Sequence, residues 1–239
     1  VDAAGNAATD TAPTDNAKLD TTAPTNAAMN LALTISTDGN NNGLVSSSEL
    51  GSTGTFTSHI TFDSSKAVAG DTVVVTATNG TGTPTVVNHV LTSAEAGAGA
   101  FDLTFAKPAN GETQVVTANY VDAAGNAATD TVATDNAKLD ATRPTIVVAR
   151  ATSNTLGAGQ TETITFTVSE AVTDFTAADV DVTGGSIINF SGSGTTYTAT
   201  FVPTANGTVK VDSNKFSDLA GNFNNDGNDT AAGITNIVS

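Results

Sequence analysis

Twelve consecutive residues, Asp38-Gly39-Asn40-Asn41-Asn42-Gly43-Leu44-Val45-Ser46-Ser47-Ser48-Glu49, match the calcium-loop pattern D-x-[DN]-x-[DN]-G-x5-E at every specified position. In such a loop the oxygens of Asp38, Asn40 and Asn42 face one centre, Gly43 permits the sharp turn, and the carbonyl of Leu44 supplies the seventh position. Ser46 can ligate directly or through water, and Glu49 can close the sphere with two oxygens. The donors are all oxygen and suit a hard cation, so calcium is the expected cofactor. A surface turn rich in Asn and Gly is the plainer alternative. A second stretch, Asn222-Phe223-Asn224-Asn225-Asp226-Gly227, has the front half of the pattern in Asn222, Asn224 and Asp226 but carries Gly233 where the closing Glu would stand.

A different cation site is expected where repeats of the chain join. Asp122, Asp135 and Asp140 close one repeat, Glu170 belongs to a loop of the next, and the equivalent upstream set is Asp2, Asp15 and Asp20. Crowded carboxylates repel one another unless a divalent cation neutralises them; the alternative is that each Asp caps a turn. Catalysis finds little support. The two histidines are His59 and His89, and His59 alternates with Phe56, Ser58 and Ile60, so it is expected to face solvent with no acidic or nucleophilic neighbour fixed by spacing. With no Trp and two Tyr, little is available for a sugar-stacking cleft around paired carboxylates. Gly157-Ala158-Gly159 and Gly192-Ser193-Gly194 lack the following Lys and helix of a phosphate loop and read as hairpin turns. The Thr163, Thr165, Thr167 and Thr196, Thr198, Thr200 ladders read as solvent-facing strand residues, since a flat water-ordering array needs a far shorter repeat. No enzyme is expected.

The elements that must hold these residues are strands. Alternation of period two runs through Thr55-Phe56-Thr57-Ser58-His59-Ile60-Thr61-Phe62 and Glu162-Thr163-Ile164-Thr165-Phe166-Thr167-Val168. It recurs near 71–78, 84–92, 100–106, 112–120, 144–152, 179–184, 186–190, 195–202 and 207–212, while only 93–96 suggests a helical turn. The 38–49 loop lies between strand-like 31–36 and 53–62, so no sensor-type opening of helices is expected. Roughly seven short strands per hundred residues predict an all-β, immunoglobulin-like sandwich that lacks the Cys pair and Trp. The 239 residues carry 8 Lys plus Arg against 24 Asp plus Glu, a formal charge of 8 − 24 = −16. Scattered basic residues in so acidic a chain argue against nucleic acid. The absence of Cys excludes disulfides and thiolate metal sites. No apolar run approaches the ~20 residues of a membrane-spanning helix, and residues 1–20 lack the regions of a signal peptide, so no membrane insertion by this fragment is expected.

The sequence VDAAGNAATDTAPTDNAKLD at 1–20 returns almost unchanged as VDAAGNAATDTVATDNAKLD at 121–140, an offset of 121 − 1 = 120 residues. The chain therefore reads as part of a tandem array. Residues 1–20 are expected to be the terminal strand and linker of a preceding repeat, 21–140 a full domain, and 141–239 a second, divergent one. Pro24 and Pro144 stand at matching places after Asp20 and Asp140 and stiffen the junctions. The close of the second domain, Ser217-Asp218-Leu219-Ala220-Gly221-Asn222, echoes Val121-Asp122-Ala123-Ala124-Gly125-Asn126. A lone terminal strand at 1–20 is expected to be disordered or to add to a sheet edge of another molecule.

The loop Thr37-Asp38-Gly39-Asn40-Asn41-Asn42-Gly43-Leu44-Val45-Ser46-Ser47-Ser48-Glu49-Leu50 resembles an EF-hand calcium loop on a β scaffold. With the Ala118-Asn119-Tyr120-Val121-Asp122-Ala123-Ala124-Gly125-Asn126 close and the Thr134-Asp135-Asn136-Ala137-Lys138-Leu139-Asp140 linker, the chain resembles the bacterial immunoglobulin-like (BIg) repeats of giant, calcium-dependent, type I-secreted RTX and biofilm adhesins. The stretch 163–202 is similar to a second class of bacterial immunoglobulin-like domain from the same proteins. The resemblance implies tandem immunoglobulin-like β-sandwiches joined by short calcium-stiffened linkers, at an extracellular, bacterial cell-surface location. It implies a stalk whose partners are neighbouring repeats of the same chain, with a host or biofilm surface ligand bound through another region, and a monomer. The alternative is that 141–239 is itself an adhesive domain for a glycan or protein.

Overall fold

The structure is a computed structural model that describes residues 19–152, 155–157, 159–225 and 229–234, the last group as backbone only. The expected behaviour of residues 1–20 thus lies, apart from Leu19 and Asp20, outside the described residues, as do Asp2, Asp15 and Asp226.

Period-two patterning produces strands. In β3 (Thr55–Thr61) Phe56, Ser58 and Ile60 point inward while Thr57 and His59 alternate outward. The preceding elements are β1 (Ala32–Ile35), β2 (Leu44–Val45) and the one-turn α1 (Ser47–Leu50). After β3 come β4 (Thr72–Asn79), β5 (Thr85–Val90), α2 (Ser93–Ala98), β6 (Ala100–Ala106), β7 (Thr113–Val121) and β8 (Ala133–Leu139). Two sheets result, ordered β1-β3-β6 and β2-β8-β7-β4-β5, antiparallel throughout except that β2 pairs parallel with β8. Between them lie Phe56, Ile60, Val73, Val75, Val116, Ala118, Tyr120 and Leu139, all nearly or fully buried. Helix α2 occupies the expected helical turn, held by a Thr92–Glu95 capping box and closed by Gly99 in the left-handed region.

One sequence expectation changes here. Residues 134–140, read as a linker, are strand from Ala133 to Leu139, because Ala137 and Leu139 alternate into the core and the segment pairs with β7 from Thr113↔Lys138 to Ala118↔Ala133. Small alanines among polar residues hid the alternation.

The second pair of sheets is built from β9 (Ile146–Arg150), β10 (Glu162–Val172), β11 (Val180–Val182), β12 (Gly185–Pro203), β13 (Gly207–Val211) and β14 (Asp229–Ile234). One sheet runs β12-β10-β9 and the other β11-β13-β14. Segment β12 doubles back at 192–194. Phe190 stacks on Tyr197 at 5.8 Å, Ser191 and Thr198 hydroxyls lie 3.5 Å apart, and Gly192, at φ +144°, leaves no room for a Cβ against Thr196 and Tyr197. The core is a separate cluster centred on Phe175, whose ring lies 4.9 to 5.5 Å from those of Phe166, Phe190, Tyr197 and Phe216. The two Thr ladders face one another across β10 and β12, Thr163↔Thr200, Thr165↔Thr198 and Thr167↔Thr196. Among the described residues no helix is long and apolar enough to cross a membrane.

Candidate metal centre

The 38–49 loop leaves β1 through a turn from Asp38 N–H to the Ile35 carbonyl and is tied down by β8. Lys138 N–H donates to the Gly43 carbonyl and Asp140 N–H to that of Val45, so β8 does not use the Leu44 carbonyl between them. Asp38, 6% exposed, accepts from Asn42 N–H at 3.1 Å and from Gly43 N–H at 2.7 Å with its two oxygens. Asn40 accepts from Asn42 N–H and Asn42 from Leu44 N–H. Gly43, at φ +82°, makes the turn the pattern requires. The closing half of the loop is α1: Ser46 caps it, accepting from Glu49 N–H, while Glu49 Oε2 accepts from Ser46 N–H at 3.0 Å and Oγ at 2.9 Å. Glu49 Oε1 lies 3.8 Å from where a Cβ on Gly39 would stand, so the twelfth residue comes back to the start of the loop. The loop thus brings Asp38, Asn40, Asn42 and Glu49 together, with Ser46 engaged in the cap.

The junction carboxylates distribute differently. Asp140, Glu170 and Asp218 place ligand oxygens within 4.8 Å of one another, and among the described residues no second group of three acidic or His side chains lies as close. Asp140 follows β8. Glu170 stands in β10 where the register shifts between Thr167 and Val172, an irregularity of the kind that re-aims a side chain. Asp218, 7% exposed, sits in the 217–222 turn, where it accepts from Ala220 N–H, Asn222 N–H and Asn222 Nδ2. Glu170 Oε1 is buried with no hydrogen-bond partner. Burial, then the charges of Asp218 and Asp140, push the Glu170 carboxyl above its ordinary range. A buried, unpaired acceptor facing two further carboxylates is the donor chemistry of a hard-cation site.

Asp122 and Asp135 lie apart from that group. Asp135 is in the middle of β8 and accepts from Ile35 N–H at 2.6 Å, tying β1 to β8. Asp122 lies at the opposite end of β7–β8 from Asp140. Its carboxylate accepts from Asn126 N–H and Nδ2, bonds that hold it below the usual carboxylate range. Asn126 Nδ2 also donates to the Asp20 carbonyl at 3.1 Å, so Asp122 belongs with Asp20 at the upstream junction. Asp63, in the loop after β3, has its carboxylate occupied by Lys66 at 2.8 Å and by Ser65 and is lowered to about 2. Sequence reasoning missed Asp218, although its match to Asp122 in the two Asp-x-Ala-Gly-Asn turns was the signal that could have found it.

The second stretch binds protein groups. Asn224, fully buried, accepts from Lys215 N–H and Phe216 N–H and donates to the Asp212 carbonyl. Asn222, 3% exposed, accepts from Ser47 and donates to Asp140 and Asp218. Neither side-chain oxygen is left over for a cation. The histidines pair with carboxylates that their local sequence spacing did not reveal: His59 opposes Asp102 across β3–β6 at 2.6 Å, and His89 stacks on Phe101 while meeting Glu95 at 3.0 Å. Glu95 also accepts from Thr92 Oγ1 at 2.7 Å, within the cap of α2.

Residues 140–235 match the family model described as a bacterial Ig-like domain. No curated protein matches the chain. The matched region takes in the second pair of sheets together with Asp140, Glu170 and Asp218.

Proposed function

We propose that the chain is an extender segment of a large extracellular bacterial adhesin of the calcium-dependent, type I-secreted kind, a spacer whose domains are stiffened against one another by calcium and hold an adhesive region away from the cell. The observation that carries this reading is the buried, unpartnered Glu170 Oε1 among Asp140 and Asp218. Asp140 ends the first sandwich; Glu170 and Asp218 belong to the second. A divalent ion held by all three neutralises their repulsion and cross-links the two sandwiches. The 38–49 loop offers a second site through Asp38, Asn40, Asn42, Glu49 and the Leu44 carbonyl. The bacterial Ig-like match and the paired sheets support an extracellular or surface role without chemistry.

A glycan- or protein-binding role for the second domain gains no observation of its own. Most of its aromatic residues are used internally, with Phe166, Phe175 and Phe216 buried and Tyr197 donating to the Val172 carbonyl, while Phe223, alone of those named, stands 51% exposed. Solution scattering and thermal melting, each in millimolar calcium and in EDTA, test the extender reading. Calcium is expected to raise the melting temperature and lengthen and stiffen the particle; no change in either quantity defeats the reading.

A further inference from the structure

Asn222 lies 3% exposed at the contact between the two sandwiches, and its side-chain amide uses its full hydrogen-bonding capacity there. Its Oδ1 accepts from Ser47 N–H at 2.9 Å and from Ser47 Oγ at 2.8 Å, both in the first sandwich. Its Nδ2 donates to the Asp140 carbonyl at 2.7 Å, at the connection, and to Asp218 Oδ2 at 2.9 Å, in its own turn. Beside it Asn42 Nδ2 reaches the Leu219 carbonyl at 3.4 Å. One side chain therefore holds the first sandwich, the connecting strand end and the second sandwich at once.

We infer that the 217–222 turn is a socket for the Ser46–Ser47 corner of the preceding sandwich, and that Asn222 fixes the angle between the two domains without any cation. Rotating one domain against the other withdraws Ser47 from a buried acceptor and leaves Oδ1 unpaired, which opposes the rotation. The turn's shape is independent of the contact, because Asp218 already binds Ala220 N–H and Asn222 N–H within it. The first sandwich repeats half of the arrangement: Asn126 Nδ2 donates to the Asp20 carbonyl as Asn222 Nδ2 does to that of Asp140. The inference rests on the reading of the chain as a tandem spacer, but not on its calcium.

The chain contains no Cys, so Thr104→Cys and Thr163→Cys, both on exposed strand positions, place one spin label on each sandwich for distance measurement by pulsed electron resonance. Ser47→Pro removes both donors to Asn222; Ser47 is the first residue of α1, where Pro is tolerated, so the helix survives. In EDTA the full-length chain is expected to give a narrow distance distribution that Ser47→Pro and Asn222→Ala each broaden at least twofold. Ser47→Ala, which keeps the amide donor, is expected to fall between, and Asn126→Ala to leave the width unchanged. Melting curves establish that both sandwiches remain folded in each variant. A Ser47→Pro distribution as narrow as that of the unsubstituted chain, or an unsubstituted chain already as broad in EDTA, overturns the inference. The same measurements in calcium separate the two readings: widths that ignore calcium in every variant defeat the cation sites and leave the socket standing.

Discussion

Two turns of the same sequence type, Asp122 to Asn126 and Asp218 to Asn222, share one hydrogen-bond skeleton and differ in what surrounds it. In each, the Asp accepts from the Asn amide and side chain, and the Asn side chain donates to the carbonyl of an upstream Asp, Asp20 or Asp140. Around Asp218 the neighbouring strand adds Glu170, with an oxygen buried and unpaired. Around Asp122 no such third carboxylate gathers: among the described residues Asp140, Glu170 and Asp218 are the one group of three acidic or His side chains whose ligand oxygens lie within 4.8 Å of one another. The same hydrogen-bond skeleton thus recurs at both turns, and among the described residues a third carboxylate comes close only beside Asp218.

The sharpest way to break that comparison is to remove each Asp. Asp218→Ala leaves three buried donors unpaired and is expected to destabilise the second sandwich by about 3 kcal/mol and abolish its response to calcium, read by calorimetry in calcium and EDTA. Asp122→Ala is expected to weaken the first sandwich while leaving the calcium response of the second intact; loss of that response in both variants would erase the distinction. Calcium itself comes next. For extracellular sites of millimolar or submillimolar affinity, EDTA is expected to lower the stability of the second sandwich by about 1 to 3 kcal/mol relative to millimolar calcium. Glu170→Gln is smaller and changes sign with conditions. In EDTA it should stabilise by about 1 kcal/mol, the scale of relieving like charges a few ångströms apart, and in calcium it should destabilise.

The same carboxyl predicts a pH effect. Its folded pKa is raised, so the folded state binds the proton more tightly than the unfolded chain, whose carboxyl titrates near 4.5. In EDTA, the contribution of Glu170 to stability therefore increases as pH falls from neutral toward that value, and calcium should suppress the increase; a pH series of melts in the two buffers, with Glu170→Gln to isolate the group, reads it. Smallest is Asp135→Ala. It should cost about 1 kcal/mol through the lost bond from Ile35 N–H, with the calcium response unchanged.

Most strands were legible because alternation marks a half-buried strand wherever the inward residues are large, as Phe56 and Ile60 are in β3. β8 escaped because its inward residues include alanine and aspartate, and burial of Ala137 depends on β1 and β7 closing over it. The shape of the 38–49 loop was legible as a unit, since the residues that form it lie within twelve positions and local turns connect them. The junction set was not, because sequence repetition shows that two turns are alike without showing which neighbour each one faces. β7 and β8 form an antiparallel pair, and seven residues of β8 at about 3.3 Å each span roughly 23 Å. That length separates Asp122 from Asp140 and leaves Asp140 to meet the corresponding turn of the following domain. Asn222 and Asn224 were read as ligands because a motif shows residue types but not that backbone amides have already claimed their oxygens.

The bond from the turn asparagine to the upstream carbonyl, once repeated from joint to joint, has a geometric corollary. Applying one rotation and one translation again and again is a screw operation, so an array whose every joint carried the Asn222 socket would wind with a constant pitch rather than meander. A feature on the face of one unit then comes round to the same azimuth after a fixed number of units, and the length of the array decides which way its far end looks.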